Sequence, residues 1–515
     1  MIKSMVRFMR ISSYEIILPL LDKNIKEIAG YRLMVNGLYG AFDIVAKEDC
    51  EKISAGKFSE LPLAVLERLL LRGHLTRKSE AEELADMKLL ARMYKKIYGG
   101  RDIGLIIMPT YDCNFRCPYC FEQHRLKKGE DWLSKTISDE MIEAIFFALK
   151  NYKSKGYNVN QCAFYGGEPL LAKNLPVVRK IAEHCRELNL TMTATTNGYD
   201  LDKYINLLTE FNFKKIRITI DGASKVNDRI RVHKDGGGTY EKIVSNVELA
   251  LERGIQISIR VNIDSKNIHG MKDLLDDFKA RGFIDREKFE YFFAIPYFNE
   301  NPNNNNNKVS RKDILDELIK IGFTVDDVLQ LETRYGIGAN LKEHFSKKIF
   351  ALFDPAYCGA EHSMAIIDPF GKIFSCFTYV GKDDKVIGVV DKKSGRFLWN
   401  FNRAKWKTRT VDLMEKCQTC PYCFMCKGGC AARGESNTGN CFREYCGETK
   451  EYFNFVAALI AGTHWQEHHE EKLSLSLAEP LSRFTQKERE IIMTTKNPKE
   501  IFEIVEAKEF TPEEV

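Results

Sequence analysis

Met108-Pro-Thr-Tyr-Asp-Cys113-Asn-Phe-Arg-Cys117-Pro-Tyr-Cys120 gathers three cysteines within residues 113–120, directly after an apolar run, 104–109, that reads as a strand. Thiolates at this Cys-x3-Cys-x2-Cys spacing can wrap one metal centre, and cysteine is the usual protein ligand of iron–sulfur clusters. A four-iron cluster takes four ligands, so three thiolates leave one iron open to an exogenous group. A zinc knot is the alternative that spacing leaves open. Zinc wants a closed tetrahedron; no fourth Cys or His lies inside the motif, and His124 stands four residues beyond it.

Outward from this stretch, strand and helix patterns alternate. Strands are predicted over 104–109, 161–165, 190–195, 215–220, 256–263 and 288–295. Between them lie amphipathic stretches, one with Met141, Ile142, Ile145, Phe146 and Leu149 at helical spacing, another with Val177, Val178, Ile181, Ala182, Cys185 and Leu188. Such alternation implies an α/β fold with a parallel sheet, curled into a partial barrel. Active-site residues of such barrels gather at the carboxyl ends of the strands. At those ends stand Tyr165-Gly166-Gly167-Glu168-Pro169, then Thr195-Thr196-Asn197-Gly198, then Thr219-Ile220-Asp221-Gly222 followed by Arg229 and Arg231, then Arg260-Val261-Asn262. Glycines let backbone approach a ligand closely, and a carboxylate can receive an ammonium in a charge-assisted hydrogen bond. Alone, Gly166-Gly167-Glu168-Pro169 would read as a plain turn.

The triad, with the aromatic Tyr119 before its last cysteine, and the motifs that follow in order resemble the radical S-adenosylmethionine (SAM) superfamily. The resemblance implies a partial (β/α)6 TIM-like barrel. It also implies a four-iron cluster on Cys113, Cys117 and Cys120, whose open iron takes the amino and carboxylate groups of SAM. Reductive cleavage of the sulfonium then releases a 5′-deoxyadenosyl radical. The SAM contacts it implies are Tyr119, Gly166, Gly167, Glu168, Asn197, Thr219, Arg231 and Arg260. Thr219 and Arg231 come from the sulfatase-maturase branch, and for Arg260 and Asn262 a surface or strand-capping role stays open beside a ligand role.

Of the 15 cysteines, nine lie within 358–446, and only Cys50, Cys162 and Cys185 fall outside the two clusters. Clusters in a long intracellular chain point to metal rather than disulfides. Cys358, Gly371-x4-Cys376, Cys417-x2-Cys420-x5-Cys426-x3-Cys430 and Cys446 resemble the seven-cysteine pattern of SPASM domains. Zinc ribbons are the alternative for the Cys-x2-Cys pair. The resemblance implies two auxiliary four-iron clusters, an outer one on Cys417, Cys420, Cys426 and Cys446 and an inner one on Cys358, Cys376 and Cys430. Sulfatase maturases carry an eighth cysteine where this chain has Leu352. The inner cluster is then either open at one iron or completed by Cys441 or Cys423.

Residues 1–98 hold no clustered cysteine. Strands are predicted over 14–18, 31–35 and 40–46, and helices over 47–54, 60–72 and 78–97, a pattern that resembles a winged-helix unit. Maturases of ribosomally made peptides carry such an element and grip a leader peptide by adding it to the sheet as a strand. The organisation expected is a winged-helix-like leader-binding domain over 1–98, the radical SAM core over 104–300, a linker with bridging helices over 301–350, a loop-rich SPASM domain over 351–450 and a helical tail over 451–515. The asparagine run 303–307 reads as a mobile loop. The favoured function is a peptide maturase that abstracts hydrogen and forms a thioether or other crosslink. A formylglycine-generating sulfatase maturase is the alternative; those enzymes place a catalytic Asp where this chain has Phe377, and they lack a region like 1–98. A non-catalytic cluster-bearing scaffold is a third reading, against which stand Cys113, Cys117, Cys120 and Glu168.

Composition bounds the partners. The 515 residues are 44% hydrophobic and 29% charged, ordinary for a globular protein. The balance of 77 basic and 72 acidic residues, net +5, is too weak to argue for nucleic acid, and Arg125, Lys127 and Lys128 read as solvated surface. The best apolar run, 455–461, is far below the ~20 residues that span a bilayer. A cytoplasmic enzyme is expected, with a precursor peptide or protein as substrate, a flavodoxin or ferredoxin as electron donor, and no membrane or nucleic-acid partner.

Overall fold

The computed structural model describes residues 8–98, 102–120, 122–294, 310–324, 341, 356–474, 476–495, 500–501 and 503–504. The asparagine run 303–307 and Leu352 lie outside the described residues, as does most of 301–350. The chain forms two compact units, one of residues 1–100, 325–358 and 409–515, the other of 101–324 and 359–408.

In the first unit, β1 (Arg10–Ile11) pairs with β5 (Leu75–Thr76), while β2 (Glu15–Leu21), β3 (Glu27–Asn36) and β4 (Ala41–Ala46) form an antiparallel sheet in that order. Period-two alternation gives this sheet two apolar faces. Met34 and Val45 pack with Cys50, Ile53, Leu66 and Leu69 from the helices Lys47–Ser54 and Leu63–Leu71. The opposite face, with Leu18, Leu33 and Ile44 buried, meets the helix Thr449–His468. There Tyr31 lies 4.7 Å from Trp465, and Phe42 6.4 Å from Phe453. Gly462 lets that helix reach β2, since a Cβ there would sit 2.1 Å from the Leu21 carbonyl oxygen. The apolar run 455–461 is thus a core helix segment. No helix among the described residues is long and apolar enough to cross a membrane.

The two outer edges of this sheet differ. Along β4, Ile44 N–H donates to the Glu471 carbonyl at 2.8 Å and Leu473 N–H to the Phe42 carbonyl at 2.9 Å. Along β2, no strand pairs among the described residues, and the exposed Pro19 suits an edge because proline has no N–H to give a ladder. The same unit holds the cysteine-rich loop from 409 to 446. Arg92 pairs with Asp412 at 2.6 Å, Tyr14 donates to the Gln418 carbonyl, and a Cβ on Gly37 would overlap the Pro421 carbonyl.

In the second unit, β6 (Gly104–Ile107), β7 (Gln161–Phe164), β8 (Thr191–Thr196), β9 (Lys215–Thr219), β10 (Ile257–Asn262) and β11 (Phe289–Ala294) run parallel and side by side. Each matches an expected strand to within a residue or two. Ile216, Ile218, Ile257, Ile259 and Val261 are buried on one face, the side covered by helices such as Leu175–Glu187 and Tyr240–Glu252. The α/β partial barrel read from the sequence is the fold observed. Beyond β6 the sheet continues through β12 (Met364–Ile367, parallel to β6) and the antiparallel β13 (Lys372–Phe374), β14 (Gly388–Asp391) and β15 (Arg396–Trp399). These strands fall in a stretch that reads as loops, because each is short and glycines at 371, 381 and 395 interrupt the pattern.

One surface expectation is corrected. Lys127 and Lys128 are exposed, but Arg125 is buried. Its guanidinium pairs with Glu122 at 2.8 Å, lies 4.8 Å from the Tyr111 ring centre and donates to the Val380 carbonyl at 3.2 Å.

Candidate active site

The cysteine loop leaves the carboxyl end of β6 and is held against the end of β7. Glu168 N–H donates to the Asp112 carbonyl at 2.7 Å. A Cβ on Gly167 would meet the carbonyl oxygens of Tyr111 and Asp112 at 2.3 Å, and one on Gly166 the Thr110 carbonyl oxygen at 2.7 Å. The close approach that Gly166 and Gly167 permit is therefore to the cysteine loop itself.

Burial pushes all three thiols up. Cys113 rises well above the ordinary thiol value, with Glu168, Cys117 and Cys120 adding to the effect of burial. Cys117 rises, and Cys120 reaches about 12. Thiols that resist ionisation in this way become thiolates when a bound metal supplies positive charge. Among the described residues, no three Cys, His, Asp or Glu side chains gather tightly enough for a single metal ion. A four-iron cube takes its thiolates at separate corners. Three buried or half-buried thiols on one loop, each within electrostatic reach of another, fit that demand.

Beside the triad, Tyr119 joins three elements. Its hydroxyl donates to Asp221 Oδ2 at 2.5 Å, and accepts from Arg231 Nη1 at 2.6 Å and Asn262 Nδ2 at 3.2 Å. Asn262 N–H closes the set on Asp221 Oδ1 at 3.0 Å. Burial opposes charge on Arg231, but Tyr119, Cys117 and Asp221 outweigh it and hold the guanidinium protonated. Two polar atoms in this network, Arg231 Nε and Asn262 Oδ1, are buried without a hydrogen-bond partner. A donor and an acceptor left unmet beside the thiols fit a zwitterionic ligand such as SAM, since buried polar groups are normally satisfied. Asp221 stands in a strand-end motif quoted from the sequence, but is assigned no role there. Its signal was its place at the end of the fourth strand, two residues beyond Thr219.

Glu168 is buried, and its carboxylate is already well supplied. Oε1 accepts from Thr196 Oγ1 at 2.6 Å and Leu170 N–H at 2.8 Å, and Oε2 from Asn197 N–H at 2.6 Å. Burial nevertheless lifts its carboxyl to about 7. Asn197 in turn donates to Asn114 Oδ1 at 2.6 Å. Glu168 and Asn197 thus tie the ends of β7 and β8 to the cysteine loop. Thr219 and Arg260 are register partners on β9 and β10.

The second cysteine group is divided between the units. Cys417, Cys420, Cys426 and Cys446 lie within electrostatic reach of one another, and Cys423, fully buried, lies beside Cys420, Cys417 and Cys426. Burial raises Cys417 and Cys426 to about 12. The donor set fits one cluster, with Cys423 within reach of the same group. Arg409 braces the loop by donating to the carbonyls of Cys441 at 2.6 Å and Gly428 at 3.0 Å. Cys430 precedes the helix Ala431–Thr438. Cys358 belongs to the first unit and Cys376 to the second. Phe377, next to Cys376, packs its ring 4.3 Å from Tyr165.

Comparison with known proteins agrees with this chemistry. Residues 107–278 match the model of the Radical SAM superfamily. The chain is 23% identical over 383 residues to a cysteine-type anaerobic sulfatase-maturating enzyme of Clostridium novyi (strain NT), a match covering 68% of this chain and 95% of that protein. It is 32% identical over 171 residues to a probable GTP 3′,8-cyclase of Archaeoglobus fulgidus, covering 33% of this chain and 52% of that protein. The fold is similar to that of a solved structure, native anSMEcpe with bound AdoMet, at a TM-score of 0.54 and 22% identity, over 71% of this chain and 99% of the other. With its cysteine triad at the mouth of a parallel barrel, the chain carries a Radical SAM domain over residues 107–278 and is similar along most of its length to a sulfatase maturase.

Proposed function

We propose that this enzyme cleaves SAM reductively and uses the resulting radical to modify a peptide, forming a thioether or another crosslink in a ribosomally made precursor. The observation that carries the SAM assignment is the pair of unmet buried atoms, Arg231 Nε and Asn262 Oδ1, in the network that Tyr119 extends from the cysteine loop. Cys113, Cys117 and Cys120 would hold the SAM-binding cluster, which when bound supplies the electron that breaks the sulfonium. Cys417, Cys420, Cys426 and Cys446 would hold the outer auxiliary cluster, and Cys358, Cys376 and Cys430 the inner one, with Cys423 or Cys441 as a further ligand. Arg231, held protonated, suits the SAM carboxylate, and Thr219, the last residue of β9, would contribute its hydroxyl as a further SAM contact. Glu168, through Thr196 and Asn197, fixes the strand ends that carry these groups. A flavodoxin or ferredoxin is the electron donor this chemistry calls for.

The edge of β2 supports the peptide reading. Among the described residues it is an unpaired strand edge in a small sheet whose faces are both packed, which is what β-addition of an extended leader requires. Phe377 stands where the sulfatase maturases carry their base, and its ring is packed on Tyr165. The formylglycine reaction remains the second reading because the similarity extends over 95% of the C. novyi maturase. Anaerobic incubation with SAM, a reductant and either a precursor peptide encoded beside the enzyme or a cysteine-containing sulfatase peptide separates the two. A mass change in the precursor alone supports the peptide-maturase reading, and formylglycine in the sulfatase peptide replaces it.

A further inference from the structure

The inner face of the barrel strands is polar where the outer face is apolar. On β8 to β11 the residues that alternate with the buried Ile216, Ile218, Ile257 and Ile259 are Thr193 and Thr195, Lys215 and Arg217, Ser258 and Arg260, then Glu290 and Phe292. The strand register places Thr195, Arg217, Ser258 and Glu290 side by side in one layer. Thr219, Arg260 and Phe292 form the next layer toward the cysteine loop.

The charges in this lining do not cancel. Lys215 and Glu290 pair at 2.7 Å. Arg217 lies 5.0 Å from the Phe292 ring centre, its Nε is buried with no hydrogen-bond partner, and among the described residues it forms no ion pair. Glu290, in the same layer, is within electrostatic reach of Arg217 but is the carboxylate that pairs with Lys215, so one carboxylate faces two cations and a second, supplied by a ligand, would balance the layer. SAM is a poor fit for that ligand. Arg217 lies two residues, roughly 6–7 Å along the strand, below Thr219, away from the strand ends that hold the cysteine loop.

We infer that Arg217 is a specificity-determining residue that receives a carboxylate of the substrate peptide, flanked by the hydroxyls of Thr195 and Ser258. This rests on the reading above that the substrate is a peptide. The carboxylate comes from an aspartate or glutamate near the reacting residue, or from the peptide C-terminus.

The test uses the full chain, reconstituted anaerobically and immobilised with SAM. Two mixtures of random short peptides, one with free and one with amidated C-termini, are passed over it, and the retained peptides are sequenced. Enrichment of Asp or Glu at a fixed position in both mixtures, by about tenfold or more as one charge-assisted contact allows, supports the side-chain source. Retention that vanishes on amidation supports the C-terminal source. Arg217→Gln should abolish whichever preference is found, and Arg217→Glu should turn it toward Lys and Arg, a gain that a misfolded variant would not show. Retained peptides with no acidic preference, or the same preference in Arg217→Gln, overturn the inference while leaving the peptide reading intact. Retention of no peptide at all overturns both.

Discussion

The hydroxyl of Tyr119 lies 2.6 Å from Arg231 Nη1, which couples the last turn of the cysteine loop to the segment that follows β9. A hydrogen bond to a charged group contributes roughly 1.5–3 kcal/mol. Tyr119→Phe leaves Arg231 and Asp221 without their shared phenol, and is expected to weaken SAM binding by roughly tenfold or more. Equilibrium binding of SAM to the reconstituted enzyme measures this. Unchanged affinity would remove Tyr119 from the SAM site.

Gly167 is expected to be intolerant for a reason other than ligand contact. A Cβ there meets two carbonyl oxygens of the cysteine loop at 2.3 Å. Gly167→Ala should therefore displace the triad and lower the iron content by about four per chain, with the auxiliary clusters retained. Iron and sulfide analysis with electron paramagnetic resonance reads the outcome, and full iron content in this variant would contradict the close packing.

His74 is clamped between two carboxylates, its Nδ1 2.9 Å from Glu15 and its Nε2 2.8 Å from Asp43. Burial alone would lower its proton affinity, but Glu15 and Asp43 overcome this and raise it to about 9, from an ordinary 6.5. A raised value in the folded state means that the stabilisation is fully present below pH 6.5 and is lost as pH rises through about 9. Urea unfolding of the N-terminal unit should show that decline, and His74→Gln should flatten it. Breaking such a buried set typically costs about 3–5 kcal/mol. A wild-type stability that is flat between these pH values would show that His74 is neutral in the fold.

Leader binding should be read at β2 rather than by truncation. Residues 8–98 pack on the cysteine-rich loop from 409 to 446 through Arg92 and Asp412, Tyr14 and Gln418, and Gly37 and Pro421. Deleting 1–98 is therefore expected to cost the outer cluster as well as any leader site. Amide hydrogen exchange offers a cleaner measurement. A bound leader should slow exchange over Glu15–Leu21 and leave Ala41–Ala46 unchanged, because β4 already has a neighbour along its outer edge. Protection elsewhere, with none at β2, would move the leader site.

Much of this was legible along the chain because the signals are local. β6 is an apolar run and β9 and β10 alternate apolar with polar residues, the triad has its own spacing, and each motif stands at a strand end. What escaped is tertiary. Asp221 becomes informative only once Tyr119 and Arg231 reach it from other segments. Arg125 reads as a surface charge until Glu122, Tyr111 and Val380 enclose it. That Gly166 and Gly167 also make room for the cysteine loop is visible only once that loop lies against them. β12 to β15 are too short for a periodic signal, and they gain their order from the edge of β6.

We assign the cleavage of SAM to a centre held by Cys113, Cys117 and Cys120. The most direct test is the release of 5′-deoxyadenosine from SAM under reducing, anaerobic conditions by the wild-type enzyme and by the variant with all three changed to Ala. Release by the wild type and none by the variant, with auxiliary iron retained in both, is the expected result. Undiminished release by the variant would contradict the account.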